Sequence, residues 1–174
     1  IQPALKIAIF EAEYVGFGAS GRNGGWTSAE YPTSSQRVIK ENGIESYRDL
    51  RAAITSAIDE IGQIAQANNW KIDYAKGGSI VFARNSAQLN RISSDIDDEH
   101  KLLNREQTQE LINIPSARGS VFTPHCAALN PFKLARALAE NLESGGVKIF
   151  EQSKVEEIKD KKLVINGFEV GCEI

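Results

Sequence analysis

A short apolar run, Ala4-Leu5-Lys6-Ile7-Ala8-Ile9-Phe10-Glu11, ends in an acid. It is rich in β-branched residues and has one interior charge, which is typical of a mostly buried strand in a parallel sheet. A glycine-dense loop follows directly and extends through Gly25. We therefore predict an α/β nucleotide-binding layer in which residues 4–11 form a strand and Glu11 lies at its tip.

The loop after this strand carries the letters G-x-G-x-x-G from Gly16 to Gly21. A dinucleotide fingerprint with these letters requires glycines directly at a strand end, a helix that starts within the motif, and an acid about 20 residues later. Here Glu11 precedes the glycines, and the loop continues into Gly24-Gly25-Trp26 without a helical pattern. We therefore assign residues 4–11 to the second strand of the nucleotide-binding unit. The alternative is a nicotinamide-dependent dehydrogenase, which requires a periodic helix starting at Gly21.

A carboxylate at the tip of that second strand has a specific use. Its two oxygens accept hydrogen bonds in parallel, so the Glu11 side chain is suited to hold both hydroxyls of an adenosine ribose. Taken alone, however, a glutamate at a strand end is usually a solvated charge. The residues that follow Glu11 decide between these interpretations.

Glu11-Ala12-Glu13, followed by Gly16-Phe17-Gly18-Ala19-Ser20-Gly21-Arg22-Asn23-Gly24-Gly25-Trp26, resembles the D-amino-acid-oxidase superfamily, especially its γ-glutamylputrescine oxidoreductase-like branch. The resemblance implies FAD as the cofactor, with this segment passing along the pyrophosphate and ribityl chain to the flavin ring. It also implies that two glycines allow close backbone approach to the ring and that an arginine lies beside the pyrophosphate. Backbone N–H groups of the segment are expected to bind flavin or phosphate oxygens. The implied cofactor-binding residues in this segment are Glu11, Ala12, Ala19, Ser20, Arg22, Asn23, Gly24 and Gly25.

A second stretch resembles the same family. It runs from Leu129-Asn130-Pro131-Phe132-Lys133-Leu134-Ala135 through Gly146-Val147-Lys148-Ile149 to Val155. The resemblance implies that the main chain of Val155 meets the adenine edge, a task for which an extended backbone offers both a donor and an acceptor. By position alone, Val155 is an ordinary core residue of a strand.

The resemblance implies a mixed α/β fold: an incomplete, doubly wound FAD-binding layer with part of a substrate domain inserted. Residues 1–30 and 130–174 would belong to the FAD-binding domain, and residues 31–129 to a helical linker region and part of the substrate domain. The implied activity is oxidation of the C–N bond of an amine or amino acid by hydride transfer to FAD. In this family the substrate-binding side chains lie largely in the later half, beyond residue 174, so we name no catalytic residue.

The main alternative to an enzyme is a truncated, non-catalytic fragment. The 174-residue chain contains no methionine, opens on a strand-like run and closes on another. We therefore expect an internal segment that lacks the first strand and its glycine loop. Because that loop supplies the pyrophosphate site, the segment alone is expected to bind FAD weakly or not at all.

Composition narrows the possible partners and the location. The net charge of −3 gives no electrostatic attraction to nucleic acid or anionic lipid. The two cysteines, Cys126 and Cys172, form no disulfide framework or metal motif, and no signal peptide or membrane-spanning run is present. We expect a cytoplasmic protein with a small-molecule substrate and no metal; its oligomeric state stays open.

The remaining elements follow from apolar spacing and from turn chemistry. Asn130 and Pro131 supply an N-cap and a first-turn proline for a helix that ends at Gly145-Gly146. Asn166-Gly167 is a hairpin turn within a small meander over residues 155–170. Helices are further predicted over 46–68, 86–103 and 106–112, and strands over 79–83, 120–123, 147–150 and 168–174.

A few other residues invite functional interpretations. For His125 and Cys126, structural roles are favoured, because neighbouring side chains on a strand point to opposite faces. Trp26 either borders the flavin or packs in the core. A solvated surface is predicted for the acidic residues Asp95, Asp97, Asp98 and Glu99.

Overall fold

The computed structural model describes residues 5–94, 96 and 98–173, and the predictions for Ala4, Asp95, Asp97 and Ile174 lie outside these residues. The chain divides into two compact units. Unit 1 comprises residues through Gly25, residues 70–72, and residues from Asn130 onward. Unit 2 comprises Trp26–Asn69 and Asp73–Leu129.

The chain alternates helices and strands, so the predicted mixed α/β class is confirmed. The helices of the described part of the chain are α1 (Ala19–Arg22), α2 (Ser35–Asn42), α3 (Ile44–Ala67), α4 (Ser86–Ser93), α5 (Arg105–Leu111) and α6 (Pro131–Ser144). Its strands are β1 (Ala8–Phe10), β2 (Trp26–Ser28), β3 (Ala75–Lys76), β4 (Ser79–Ala83), β5 (Lys101–Asn104), β6 (Gly119–Thr123), β7 (Cys126–Ala128), β8 (Lys148–Phe150), β9 (Val155–Lys159), β10 (Lys162–Ile165) and β11 (Phe168–Gly171). No helix among the described residues is both long and apolar enough to traverse a bilayer.

Unit 1 contains a parallel pair of strands, β1 and β8. Phe10 pairs in register with Phe150, and their rings stack with centroids 5.3 Å apart. The pairing continues beyond the strand ends, since Glu11 N donates to Phe150 O at 2.9 Å and Ser153 N donates to Glu11 O at 2.8 Å. The parallel strand that the apolar run predicts is therefore present, although shorter than residues 4–11.

The predicted burial of this strand is wrong. Ile7 is 49% exposed and Ile9 is 39% exposed. A strand becomes buried when neighbouring strands and helices cover it, whereas β1 pairs only with β8 within the described residues. The apolar composition was read correctly as a strand, but composition does not supply the covering elements.

The C-terminal half of unit 1 follows its turn chemistry. Asn130 Oδ1 accepts a hydrogen bond from Lys133 N at 3.1 Å, so Asn130 caps α6 as predicted. Strands β9, β10 and β11 form an antiparallel meander. Its turn residues, Asn166 and Gly167, have φ values of 49° and 79°, as a two-residue hairpin of the predicted kind requires.

Unit 2 contains two three-stranded sheets, ordered β2-β7-β3 and β4-β6-β5. Helix α3 confirms the amphipathic helix predicted over 46–68, and it buries Ile58 against Ala29 and Ala127. The predicted strands at 79–83 and 120–123 and the helix at 106–112 correspond to β4, β6 and α5. The short strands β2, β3 and β7 carry no alternating pattern and were not predicted.

The helix predicted over 86–103 is wrong in its second half. Helix α4 ends at Ser93, and Leu103 instead pairs with Ser120 between β5 and β6. Asn104 then forms a capping box with Gln107 at the start of α5. Leu103 therefore fitted a helical spacing by coincidence, and pairing with β6 determines its conformation.

Candidate cofactor-binding site

Glu11 lies immediately after β1, at the tip of the strand, and is partly buried. Its N–H donates to Phe150 O, at the end of β8, and its carbonyl accepts from Ser153 N in the segment that follows β8. Its Oε1 accepts from Glu13 N at 3.0 Å, while Oε2 forms no hydrogen bond within the described residues. The carboxylate is thus fixed by its own loop and retains acceptor capacity. Ala12 follows it in an exposed bend.

The loop after Glu11 packs on helix α6 through aromatic rings. The Tyr14 ring lies edge-on to Phe17, with centroids 5.1 Å apart, and to Phe132, 6.2 Å away. Gly16 has φ +87°, and a Cβ there would lie 2.8 Å from Phe132 Cδ2. Gly16 therefore serves both the turn and the contact with α6.

Gly21 is required by a close approach within the loop. A Cβ at Gly21 would lie 2.0 Å from Gly16 O, a distance that no side chain tolerates. Two glycines of the G-x-G-x-x-G letters therefore close the loop on itself. Helix α1 ends at Arg22, so the periodic helix from Gly21 that a nicotinamide dehydrogenase requires is not observed.

Asn23 orders the turn that follows α1. Its Nδ2 donates to Ala19 O at 3.1 Å and to Ser20 O at 2.9 Å, and its Oδ1 accepts from Gly25 N at 2.8 Å. The Gly25 amide is consequently engaged within the protein, and its φ of 67° favours glycine. The Asn23 side chain therefore forms these hydrogen bonds within its own loop.

Gly18 and Gly24 differ from the other loop glycines. A Cβ at either position would meet no atom within 4 Å, and neither has a positive φ. Both residues are exposed. Neither backbone strain nor packing in this chain therefore demands glycine there, and both leave the main chain accessible to a bound molecule.

Arg22 is exposed and lies over the Phe17 ring, with its Cζ 4.1 Å from the centroid. This cation–π contact is worth about 0.5–1 kcal/mol at an exposed site, less than a charge-assisted bond to an anion. An arriving phosphate can therefore compete with the ring for the guanidinium.

Val155 begins β9 and is partly buried. It pairs with Ile165 at a register shift between Val164 and Ile165. Ser153, two residues earlier, donates to Glu11 O at 2.8 Å. Backbone pairing therefore connects the two predicted regions, the loop after β1 and the start of β9.

Glu151 and Arg136 were not predicted as functional residues. Glu151 Oε1 accepts from Val15 N at 3.0 Å and from Arg136 Nη1 at 2.5 Å. The Val15 amide, followed by Arg136, lowers the pKa of the Glu151 carboxyl. A signal existed, because the tripeptide Ile-Phe-Glu occurs at 9–11 and again at 149–151. Each copy ends one of the two paired parallel strands.

Cys126 and Trp26 form a contact within unit 2. Trp26 Nε1 donates to Cys126 Sγ at 2.6 Å, although Trp26 as a whole is 65% exposed. Burial raises the pKa of the Cys126 thiol, which makes it a poor nucleophile. This supports the structural role predicted for Cys126. Trp26 is not a core residue, which removes one of its two predicted roles.

Glu99 belongs to a partly buried ion pair. Its Oε2 lies 2.7 Å from Arg51 Nη2, whose side chain is 9% exposed, and Arg51 Nη1 also donates to Ala29 O. The solvated surface predicted for this acid is therefore wrong. His125 is partly buried with its Nε2 4.0 Å from Glu99 Oε1. No three His, Cys, Asp or Glu side chains among the described residues converge as metal ligands.

The DAO family of FAD-dependent oxidoreductases matches residues 2–172 of the chain. The chain belongs to this family. The matched range includes the residues for which cofactor contacts are predicted, from Glu11 to Val155.

The chain is also similar to two curated bacterial proteins. The chain is 26% identical over 164 residues to probable oxidoreductase OrdL of Haemophilus influenzae, covering 90% of this chain and 38% of OrdL. It is 25% identical over 167 residues to γ-glutamylputrescine oxidoreductase of Escherichia coli, covering 91% of this chain and 38% of that enzyme. The chain therefore spans about 38% of the length of these curated relatives.

Solved structures show the same fold. Glycine oxidase from Bacillus cereus superposes with a TM-score of 0.72 at 19% identity, covering 98% of this chain and 47% of the oxidase. L-proline dehydrogenase from P. horikoshii superposes with a TM-score of 0.72 at 15% identity, covering 97% of this chain and 45% of the dehydrogenase. At these identities the superpositions establish the fold of this DAO-family chain.

The residues present fit the cofactor of the DAO family. Glu11 Oε2 forms no hydrogen bond within the described residues, and the Cβ positions of Gly18 and Gly24 are open. Arg22 is accessible on the surface. The carboxylate oxygen can accept hydrogen bonds from a ribose diol. The open Cβ positions allow a planar ring or a phosphate to approach the backbone, and the accessible guanidinium suits a pyrophosphate.

Proposed function

We propose that this chain is a segment of an FAD-dependent oxidoreductase that oxidises the C–N bond of an amine or amino acid. The observation that carries the proposal is the combination of a strand-tip carboxylate with two exposed glycines whose Cβ positions are open. The names of the relatives support the substrate class, since they include a γ-glutamylputrescine oxidoreductase and a glycine oxidase.

Each predicted residue has a proposed task in this function. Glu11 accepts hydrogen bonds from the adenosine ribose, and the main chain of Val155 pairs with the adenine edge. Exposed Ala12, Ala19 and Ser20 line the segment that passes the pyrophosphate, with Arg22 as its cation.

The end of this segment is proposed to lie under the flavin. Asn23 fixes the turn through its bonds to Ala19 O, Ser20 O and Gly25 N. Gly24 then presents exposed, bare backbone to the ring. Gly25 is buried with its amide bound to Asn23, and its proposed task is to support this turn without a Cβ. When bound, FAD supplies the hydride acceptor, while the protein contributes binding and orientation.

The domain assignment and the location belong to the same proposal. We propose that residues 1–30 and 130–174 bind FAD and that residues 31–129 form the helical linker and substrate part. Unit 1, whose first segment ends at Gly25, contains every proposed cofactor-binding residue and supports the FAD assignment up to that position. Net charge −3 and free Cys126 and Cys172 support a cytoplasmic protein that acts on small amines or amino acids.

The test uses the product of the complete reading frame. We expect the purified protein to be yellow and to lose its visible flavin absorption anaerobically with an amine or amino acid from a panel, forming the corresponding carbonyl product. A protein that stays colourless after incubation with FAD would contradict the proposal and favour a non-catalytic fragment. A flavoprotein that no amine or amino acid reduces would contradict the substrate class alone.

A further inference from the structure

We infer that Glu151 is a positioning residue for the FAD-binding loop: its carboxylate holds the Val15 amide and thereby sets where the Val15–Gly25 part of the loop lies. This inference rests on the proposed function. It assigns a role to a residue that neither contacts FAD in the proposal nor belongs to the loop.

Glu151 lies among three backbone hydrogen bonds that join residues 11–13 to residues 150–153. Glu11 N donates to Phe150 O at 2.9 Å, Gln152 N donates to Glu13 O at 2.7 Å, and Ser153 N donates to Glu11 O at 2.8 Å. These bonds fix the loop as far as Glu13. The Glu151 side chain then extends the attachment to Val15, two residues further along the loop.

Val15, whose N–H donates to Glu151, directly precedes Gly16, the first glycine of the loop. Beyond it, Gly16 turns with φ +87° against Phe132, and Gly21 closes on Gly16 O. Displacement of the Val15 amide therefore moves Gly16, and through Gly16 it moves Gly21 and the start of α1. The hydrogen bond from Val15 N to Glu151 therefore influences the position of the loop from Gly16 to the start of α1.

Arg136 makes the attachment charge-assisted and orients it. Its Nη1 lies 2.5 Å from the same Oε1 that accepts from Val15 N, and both side chains are 38% exposed. The guanidinium, one turn of α6 after Phe132, thus links the carboxylate to the helix on which the loop packs. Loop, helix α6 and the segment after β8 meet at one carboxylate.

The experiment compares Glu151→Ala and Glu151→Gln in the product of the complete reading frame. The alanine variant removes the acceptor, and we expect FAD affinity to fall about tenfold, the effect of losing one charge-assisted hydrogen bond. Glutamine keeps a neutral acceptor for Val15 N, so we expect it to restore most of the affinity. Amide hydrogen exchange at Val15 should accelerate in the alanine variant and change little in the glutamine variant.

Glu169→Ala is the matched control. Glu169 is also a surface glutamate of unit 1, held by Lys162 at 2.7 Å and Lys159 at 3.7 Å, and its bonds lie within the meander. Its loss removes ion pairs of similar kind without touching the loop. We expect its FAD affinity and its Val15 exchange to match those of the unmodified protein.

The outcomes separate this inference from the proposed function. If the unmodified protein binds FAD and Glu151→Ala binds it equally well, the inference is overturned and the proposed function stands. If Glu169→Ala weakens FAD as much as Glu151→Ala, a general loss of stability explains the result and the inference is overturned. If the alanine variant does not fold, Arg136→Gln decides: we expect it to weaken FAD binding about threefold, and unchanged FAD affinity in Arg136→Gln overturns the inference. An unmodified protein without affinity for FAD overturns both.

Discussion

Glu11 and Glu151 occupy equivalent positions on two paired parallel strands, each directly following the phenylalanine of a stacked Phe10–Phe150 pair. The carboxyl ends of parallel strands meet at one edge of a sheet, which is where nucleotide ligands bind in open α/β layers. The two acids have different partners, however. Glu11 Oε1 is held by the Glu13 amide, whereas Glu151 Oε1 is held by the Val15 amide and Arg136. One acid is available to a ligand, and the other secures the loop around it.

Substitution of Glu11 should weaken binding of the adenosine half of the cofactor. We expect Glu11→Ala to reduce the affinity for ADP about tenfold, because a charged acceptor for the ribose hydroxyls is lost. Isothermal titration with ADP measures this without the flavin. Glu13→Ala, which changes the next exposed acid of the same loop, is the control. Equal ADP affinity in both variants would remove Glu11 from the proposed site.

Gly21→Ala should destabilise unit 1. The new Cβ would lie 2.0 Å from the backbone oxygen of Gly16, and relieving such a clash costs about 3 kcal/mol. Urea unfolding measures the free energy of unfolding of each variant. Gly18→Ala is the control, since its Cβ meets nothing within 4 Å and its φ is −77°. A Gly21→Ala protein as stable as Gly18→Ala would show that the loop does not close as described.

Gly24→Ala should separate ligand binding from stability. Nothing lies within 4 Å of the added Cβ, so the free energy of unfolding should change by less than about 0.5 kcal/mol. If the flavin ring lies against this backbone, FAD affinity should nevertheless fall at least about tenfold. Fluorescence titration with FAD, beside urea unfolding, measures both quantities. Unchanged FAD affinity would place the ring elsewhere.

The sequence predicted helix caps and turns better than it predicted burial and long-range contacts. Asn130 and Asn166-Gly167 act where the sequence indicated, because caps and tight turns depend on a few adjacent residues. Ile9 was predicted to be buried and is 39% exposed, because burial depends on what packs against a strand. The three-residue strand that contains Cys126 carries too little pattern to detect. The same limit explains why Glu151 was missed: its role depends on Val15, 136 residues earlier in the chain.

Acid should remove the contribution of Glu151 to stability. The Val15 amide and then Arg136 hold the pKa of Glu151 below its ordinary 4.5 in the folded protein. A carboxyl with a lowered folded pKa stabilises the fold above its unfolded pKa, and this contribution is lost as pH falls through the folded pKa. The stability difference between the unmodified protein and Glu151→Gln should therefore be constant well above pH 4.5 and shrink below it. Urea unfolding at several pH values measures this, with Glu140→Gln on the exposed face of α6 as the charge control.

Replacement of Arg51 should lower the free energy of unfolding more than replacement of an exposed arginine in unit 2. Its nearly buried guanidinium donates to Ala29 O and pairs with Glu99 at 2.7 Å. Arg51→Met retains the aliphatic volume but leaves Glu99 and the Ala29 carbonyl without these bonds. Leaving a buried carbonyl and a partly buried carboxylate without these bonds costs about 2 kcal/mol.

The control for Arg51 is an exposed arginine of the same unit. Arg37 pairs with Glu41 at 2.9 Å, and both side chains are more than half exposed, so Arg37→Met should cost less than about 0.5 kcal/mol. Urea unfolding of the two variants compares a partly buried ion pair with an exposed one. Because Arg51 joins α3 to the residue after β2, its loss should also accelerate amide exchange at Ala29, whose N–H donates to His125 O at 3.1 Å. Similar free energies for the two variants, with unchanged exchange at Ala29, would show that the Arg51 pair does not hold this part of unit 2.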